Sequence, residues 1–369
     1  MGTVSQFQDR TRPPAHRIES EEEAVSTARR LSSSFAAQAS ERDISRILPY
    51  AELDELCLSG LSAITVPPEQ EGLDVANSLL GEIVAIIAEG DPSISEVLEH
   101  HFHALELIRT EASEELQSIL FARALAGDRF ATAAFSEAAS LEPDGVAYRL
   151  SGRSTPSPAL LYADWIIARN IRNTDGNMTG VYLSVETDGL QLVDDWDGFG
   201  QRTNGTGTLV ASSLRVEPGA VLVHSREHQS TAQALAALLH AGTDLGIARA
   251  AADNLRDTPP SADMGKLAVG ITGTAALIES AGHKLDFAQI NASATSIGNA
   301  IFSADAASLT ANAVALEAAN ALFELSAGNR ANIGLNLDRH WRNARVRKLG
   351  QTTKDRYREA AAHYFGKQF

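Results

Sequence analysis

The sequence predicts an α+β protein in three consecutive parts: a helical segment, a β segment and a helical bundle. Two changes of hydrophobic period predict it. Apolar residues recur at helical spacing up to about Gly127, then form short runs bounded by Gly, Asn, Asp or Pro as far as about Val223. Helical spacing returns from Ser230 and lasts to the end. The third observation is the stretch from Asp194 to Val210, dense in Gly, Asp, Asn and Thr, whose backbone can turn tightly and offer its own N–H groups. The expected division is a polar arm over 1–18, a helical domain over 19–127, a β domain over 128–225 and a bundle over 226–369.

The helical domain opens at Ser20-Glu21-Glu22-Glu23, which has capping-box form, with Ala24, Ala28, Leu31 and Phe35 on one face. A second helix is expected from Pro49 to Ser59, a third from Asp74 to Glu89, a fourth from Ser93 to about Arg109 and a fifth from Glu114 to Ala126. The fourth carries Glu99-His100-His101-Phe102-His103. About six strands follow: Val146–Leu150, Trp165–Ile171, Thr179–Val185, Leu190–Val193, Thr208–Ala211 and Ala220–Val223. Beyond Ser230, Leu235, Leu238, Leu239 and Leu245 mark one helix, Leu267, Ile271 and Ile278 a second, and Leu309, Leu316 and Phe323 a third. Gly242, Gly246, Gly270 and Gly273 suggest close helix–helix packing.

Charge and composition restrict the function. The net charge of −16 argues against a nucleic-acid or anionic-membrane partner. No apolar run is long enough to span a bilayer, and residues 1–17 lack the apolar core of a secretory signal. Cys57 is the only cysteine, so no disulfide can form within the chain. The ten histidines are scattered without zinc-site spacing, and no metal is expected. A reducing cytoplasm fits this composition.

The order of the three parts, with five sequence pieces, resembles the acyl-CoA dehydrogenase superfamily of flavoproteins. The pieces are Phe135-Ser136-Glu137, Gly152-Arg153 followed by Tyr162-Ala163-Asp164-Trp165, the stretch from Asp195 to Thr208, Leu239-His240-Ala241-Gly242 with Gly246-Ile247-Ala248-Arg249-Ala250, and His340-Trp341-Arg342-Asn343-Ala344-Arg345. The last three are more similar to the flavin-dependent monooxygenase branch, which includes dibenzothiophene monooxygenases and sulfur-acquisition oxidoreductases. The resemblance runs from about residue 18 to about 365.

It implies a barrel-like central domain and a flavin, FAD first and FMN as the alternative, between that domain and the bundle. Phe135 and Ser136 would lie beside the ring system, and Ser157 would flank its other edge. Trp196 would pack near the cofactor, and Thr206 and Thr208 would contact its diphosphate or the substrate channel. Arg342 and Arg345 would sit close to cofactor or substrate; a solvated or interface face is the plainer reading of that cluster. The family assembles as dimers or tetramers, so a homodimer or homotetramer is implied.

The chemistry implied is less that of a dehydrogenase. The position that supplies the catalytic glutamate in common members falls on Gln351, and an amide cannot act as a base. The alternative position falls near Leu235, with no acid on that face before Asp244. Both usual bases are missing. Oxygenation by reduced flavin and O2, on a small organic or acyl-CoA substrate, is the leading expectation, with a separate flavin reductase as electron source. Even there the histidines usual near the C-terminal Arg segment are replaced by Arg347 and Gly350. The remaining proton donors are His101, preferred, then His103 and His240. A dehydrogenase with a displaced base and a flavin-free family member are the other readings.

Overall fold

The computed structural model of the chain describes residues 13–136, 139–222, 230–325, 332–347 and 353–366. Five helices come first: α1 (Glu21–Ser45), α2 (Tyr50–Leu58), α3 (Asn77–Gly90), α4 (Pro92–Glu111) and α5 (Glu114–Leu125). Ser20 caps α1 by accepting the Glu23 N–H, while the Glu23 carboxylate reaches back to the N–H of Glu19, one residue before the cap. The start of α4 lies one residue earlier than the sequence suggests. Asp91 is its cap, accepting from the N–H groups of Ser93 and Ile94, and Pro92 takes the first helical position.

The β part has eight strands: β1 (Phe130–Ala134), β2 (Ser140–Asp144), β3 (Ala147–Arg153), β4 (Trp165–Asn173), β5 (Met178–Ser184), β6 (Leu190–Val193), β7 (Thr208–Val216) and β8 (Val221–Leu222). They form one sheet in the order β6-β7-β3-β2-β4-β5-β8, with β1 also paired to β4. The sheet is open. Among the described residues the expected barrel-like closure is absent, because β6 and β8 are both edges, each paired on one side only. β4 bulges between Ala168 and Ile171, where Asn170 takes a left-handed φ of 60°. That bend lets β1 and β2 lie end to end along the same strand, β1 against Trp165–Arg169 and β2 against Arg172–Asn173.

The C-terminal helices are α6 (Thr231–Asp253), α7 (Ala262–Ile290), α8 (Ala294–Glu324), α9 (Asp338–Arg347) and α10 (Thr353–Phe365). α6 is central, packed on α3, α4, α7, α8 and α9. Two of its glycines are required for this. A Cβ at Gly242 would stand 2.6 Å from the Gly81 carbonyl oxygen, and one at Gly246 2.3 Å from that of Ala85. Gly270 and Gly273 have no such role: the first would make only ordinary contacts with Val314, and the second faces open space. One apolar core runs without a break from the first helices through the sheet into the bundle. No helix among the described residues is long and apolar enough to cross a membrane.

Candidate active site

Candidate side chains for a site gather where α4, β1, α6 and α9 meet. Helix α4 presents Glu96, Glu99, His100 and His103 there, residues at the i, i+3, i+4 and i+7 positions that make one helical face. His100 Nδ1 lies 3.2 Å from the Thr132 hydroxyl on β1. The rings of His100 and His103 are half-buried, and burial holds both below the usual imidazole pKa.

His101, the preferred proton donor from sequence, points the other way, one residue and about 100° around the helix. Its Nε2 donates to the Ser62 carbonyl at 2.9 Å, and its Nδ1 accepts the Phe130 N–H at 3.1 Å. Both nitrogens are therefore committed to backbone, and the ring is fixed as the neutral Nε2–H tautomer. Burial pushes its pKa down to about 4. His101 ties α4 to the start of β1 and leaves no nitrogen for a ligand.

Arg347, at the end of α9, has a side chain with no solvent exposure. Its Nε donates to Asp244 Oδ1 at 2.8 Å and its Nη2 to Glu99 Oε1 at 2.8 Å. Nη1 lies 3.0 Å from Glu96 Oε1, without hydrogen-bond alignment. Nη2 also reaches His240 Nδ1 at 2.9 Å. A guanidinium only donates, so His240 Nδ1 is an acceptor and this ring too is neutral. Burial, then the nearby Arg347 charge, holds His240 well below its ordinary pKa. Burial raises Glu96 and Asp244, with Arg347 opposing, and pushes Glu99 up to about 8. The sequence marked Asp244 as too far along its helix for a base and Arg347 as a lost histidine. It did not show that the two meet.

Most of the other expected positions are engaged within the protein. Phe135 is buried in the core and its N–H bonds the Arg169 carbonyl; the Ser136 N–H goes to the Arg153 carbonyl. Ser157 is buried, its backbone bridged to Gly207 and its hydroxyl 3.2 Å from the Thr155 carbonyl. Thr206 donates from both N–H and hydroxyl to Asn204 Oδ1, and the Thr208 hydroxyl donates to Asp195. Arg342 is held by Asp43, Asp338, Asn336 and the Phe199 carbonyl, so it ties α9 to α1. Arg345 is exposed. Trp196 is half-buried, and its indole N–H has no acceptor among the described residues. Gln351 and Gly350 lie outside the described residues, as does Glu137.

The Asp194–Thr208 stretch thus spends its polar groups on the protein itself. Arg46 pairs with Asp194, Ser93 with Gln201, Glu96 with Asn204, and Gln201 N–H with Asn343. It joins α1, α4 and α9, and on α4 it is bonded to Ser93 and Glu96, on the face that carries His100 and His103. What remains for a ligand at the junction is the half-buried imidazoles of His100 and His103 and the Thr132 hydroxyl. That donor set suits an uncharged heteroaromatic ring system of the flavin kind.

No family model matches the sequence. Relatives do. The chain is 26% identical over 358 residues to the "Probable FMNH2-dependent monooxygenase SfnC" of Pseudomonas putida, covering 88% of this chain and 90% of that protein. Among solved structures, FMN-bound TdsC, a dibenzothiophene monooxygenase from Paenibacillus sp. A11-2, superposes with a TM-score of 0.87 at 20% identity, covering 94% of this chain and 98% of that one. The methanesulfinate monooxygenase MsuC from Pseudomonas fluorescens gives a TM-score of 0.85 at 25% identity, over 93% and 96%. The cofactor named in these relatives is FMN or its reduced form, which does not support the expected preference for FAD. The chain is a homologue of flavin-dependent monooxygenases that act on small organic substrates, and it carries their acyl-CoA dehydrogenase-like fold.

Proposed function

We propose that this protein is an FMN-dependent monooxygenase that takes reduced flavin from a separate reductase and oxygenates a small organic substrate. The observation that carries the reading is the likeness to the FMNH2-dependent relative over nearly the whole of both chains. Reduced flavin supplies two electrons to O2, so that one oxygen atom enters the substrate and the other leaves as water. The protein's own part is to hold the ring, exclude water and place protons. His100 and His103 would face the ring system, Ser136 and Ser157 its edges, and Trp196 would offer its unpaired N–H. Val269, Phe287 and Ile290 project apolar side chains from α7 into solvent, which supports a homodimer or homotetramer.

The dehydrogenase reading needs a free ionised carboxylate at the junction. The three carboxyls there, Glu96, Glu99 and Asp244, are all drawn onto Arg347. The test is a pair of measurements on purified protein. FMN is expected to be retained more tightly than FAD in ultrafiltration, and acyl-CoAs of graded length are expected to leave bound oxidised FMN unreduced under anaerobic conditions. Bleaching of the flavin by an acyl-CoA would restore the dehydrogenase.

A further inference from the structure

Over residues 355–366, which include most of α10, no side chain is buried. Every other described α-helix buries several, and even the 9-residue α2 buries Leu53, Leu56 and Cys57. A helix of 13 residues is marginal in water by itself, so its stability has to come from an apolar face packed on a neighbour. α10 lacks such a face. Its half-buried positions are Arg356 and Ala360 to Ala362, while Tyr357, Tyr364 and Phe365 stand in solvent.

The helix is attached to α8 by a few side chains. Arg356 pairs with Asp305. The His363 ring stacks on Phe302, with centroids 4.7 Å apart and 18° between planes, and its Nε2 lies 3.2 Å from Asn299 Oδ1. Tyr364 lies 6.4 Å from the same Phe302 ring. Arg356 and His363 are two turns apart and share a face, and their partners step backward along α8. α10 therefore lies antiparallel on the first half of α8. A partly exposed ion pair and a ring stack each hold weakly.

That strip of α8 leads to the junction. α6 and α8 run in the same direction: Asp244 bonds Asn312, and farther on Ala251 shares a small core with Ala318 and Leu322. His240 stands one turn back from Asp244, and Asp305, with Arg356 on it, two turns back from Asn312 on the same face. After burial and Arg347, the charge of Arg356 is the next influence that keeps His240 neutral. The His240 side chain is 28% exposed with α10 docked, so this edge of the junction lies at the surface.

We propose that α10 is a detachable cover of the junction: docked on α8 it shields the His240 edge, and undocked it opens that edge to small molecules. The motion needs only the loss of the Arg356 and His363 contacts, because no buried apolar side chain of residues 355–366 has to be withdrawn. The cover belongs to the chain alone and holds whether or not flavin oxygenation is its chemistry.

The test uses full-length, flavin-free protein and two readouts. Amide hydrogen exchange is expected to be about tenfold or more faster in α10 than in the middle of α8, because a weakly held element opens without global unfolding. Carbethoxylation of single histidines by diethylpyrocarbonate, mapped by mass spectrometry, reports the edge. In Asp305→Ala, and separately in His363→Ala, α10 exchange and the His240 rate are both expected to rise about two- to fivefold, while the exposed His283 of α7 keeps its rate. His363→Ala leaves the Arg356–Asp305 pair in place, so a rise at His240 there comes from undocking and not from altered charge. Amides of α10 protected as well as those of α8 overturn the detachable helix. Faster α10 exchange with an unchanged His240 rate overturns the cover. If one variant fails to fold, the wild-type exchange and the other variant still decide both points.

Discussion

Arg347 Nη2 donates at once to Glu99 Oε1, 2.8 Å away, and to His240 Nδ1, 2.9 Å away, so a single guanidinium nitrogen joins α4 to α6. With Asp244 and Glu96 on its other atoms, this side chain supplies the one positive charge shared by three buried carboxyls. Arg347→Met is expected to destabilise the protein by about 3–5 kcal/mol, because breaking a buried ion cluster leaves charge uncompensated. Denaturant unfolding of the two proteins at pH 7 checks this. A loss below about 1 kcal/mol would mean that the cluster repacks.

Stability should depend on pH with two opposed slopes. Glu99 binds its proton more tightly in the folded state, up to about pH 8, so its contribution is present at low pH and lost as pH rises through 8. His101 is depressed to about 4, so its contribution has the opposite sense and grows as pH rises from about 4 to 6.5. The two slopes cancel between about pH 4.5 and 6.5, and above that the Glu99 slope stands alone, a fall of up to about 1.4 kcal/mol per pH unit as far as 8. Glu99→Gln keeps the neutral shape and is expected to flatten the alkaline limb, as read by urea titrations in steps of pH.

Adjacent histidines should behave differently. His101→Ala strands the Phe130 N–H and the Ser62 carbonyl, and is expected to cost about 2–5 kcal/mol. His100→Ala loses only one contact to the Thr132 hydroxyl and is expected to stay within about 1 kcal/mol of the wild type, while turnover falls about tenfold or more. Thermal unfolding and steady-state rates on both variants separate the roles. Equal stability losses would contradict the assignment.

Gly246→Ala places a methyl group 2.3 Å from the Ala85 carbonyl oxygen, so α3 and α6 must separate. The expected cost is about 1–3 kcal/mol. Gly273→Ala on α7 meets nothing within 4 Å and is expected to be neutral or mildly stabilising, by up to about 1 kcal/mol. Differential scanning calorimetry of the pair tells the two kinds of glycine apart.

The sequence disclosed the helices well because their apolar faces repeat over many turns, as in Leu31 and Phe35 of α1 or Leu238 and Leu245 of α6. It hid β1 and β2. Phe130–Ala134 is mostly alanine and threonine, with no alternation to read, and Ser140–Asp144 contains Pro143 and two acids. Closure of the sheet was beyond reach as well, since it depends on which strands lie at the edges. In the candidate site, the motif on α4 pointed to one helix, but telling the face of His101 from that of His100 needs the helix phase to within one residue. The Arg347 cluster draws on residues 96, 99, 244 and 347, and only the packing of α4, α6 and α9 brings them together.

Oxygen transfer driven by reduced FMN is tested most directly by the isotopic content of product formed under 18O2, with FMNH2 supplied by a flavin reductase and with aromatic and aliphatic sulfur compounds as trial substrates. One 18O atom is expected in each molecule of oxidised product, with formation dependent on this protein. Product whose added oxygen comes from water, or from peroxide made equally well by the reductase alone, would contradict it.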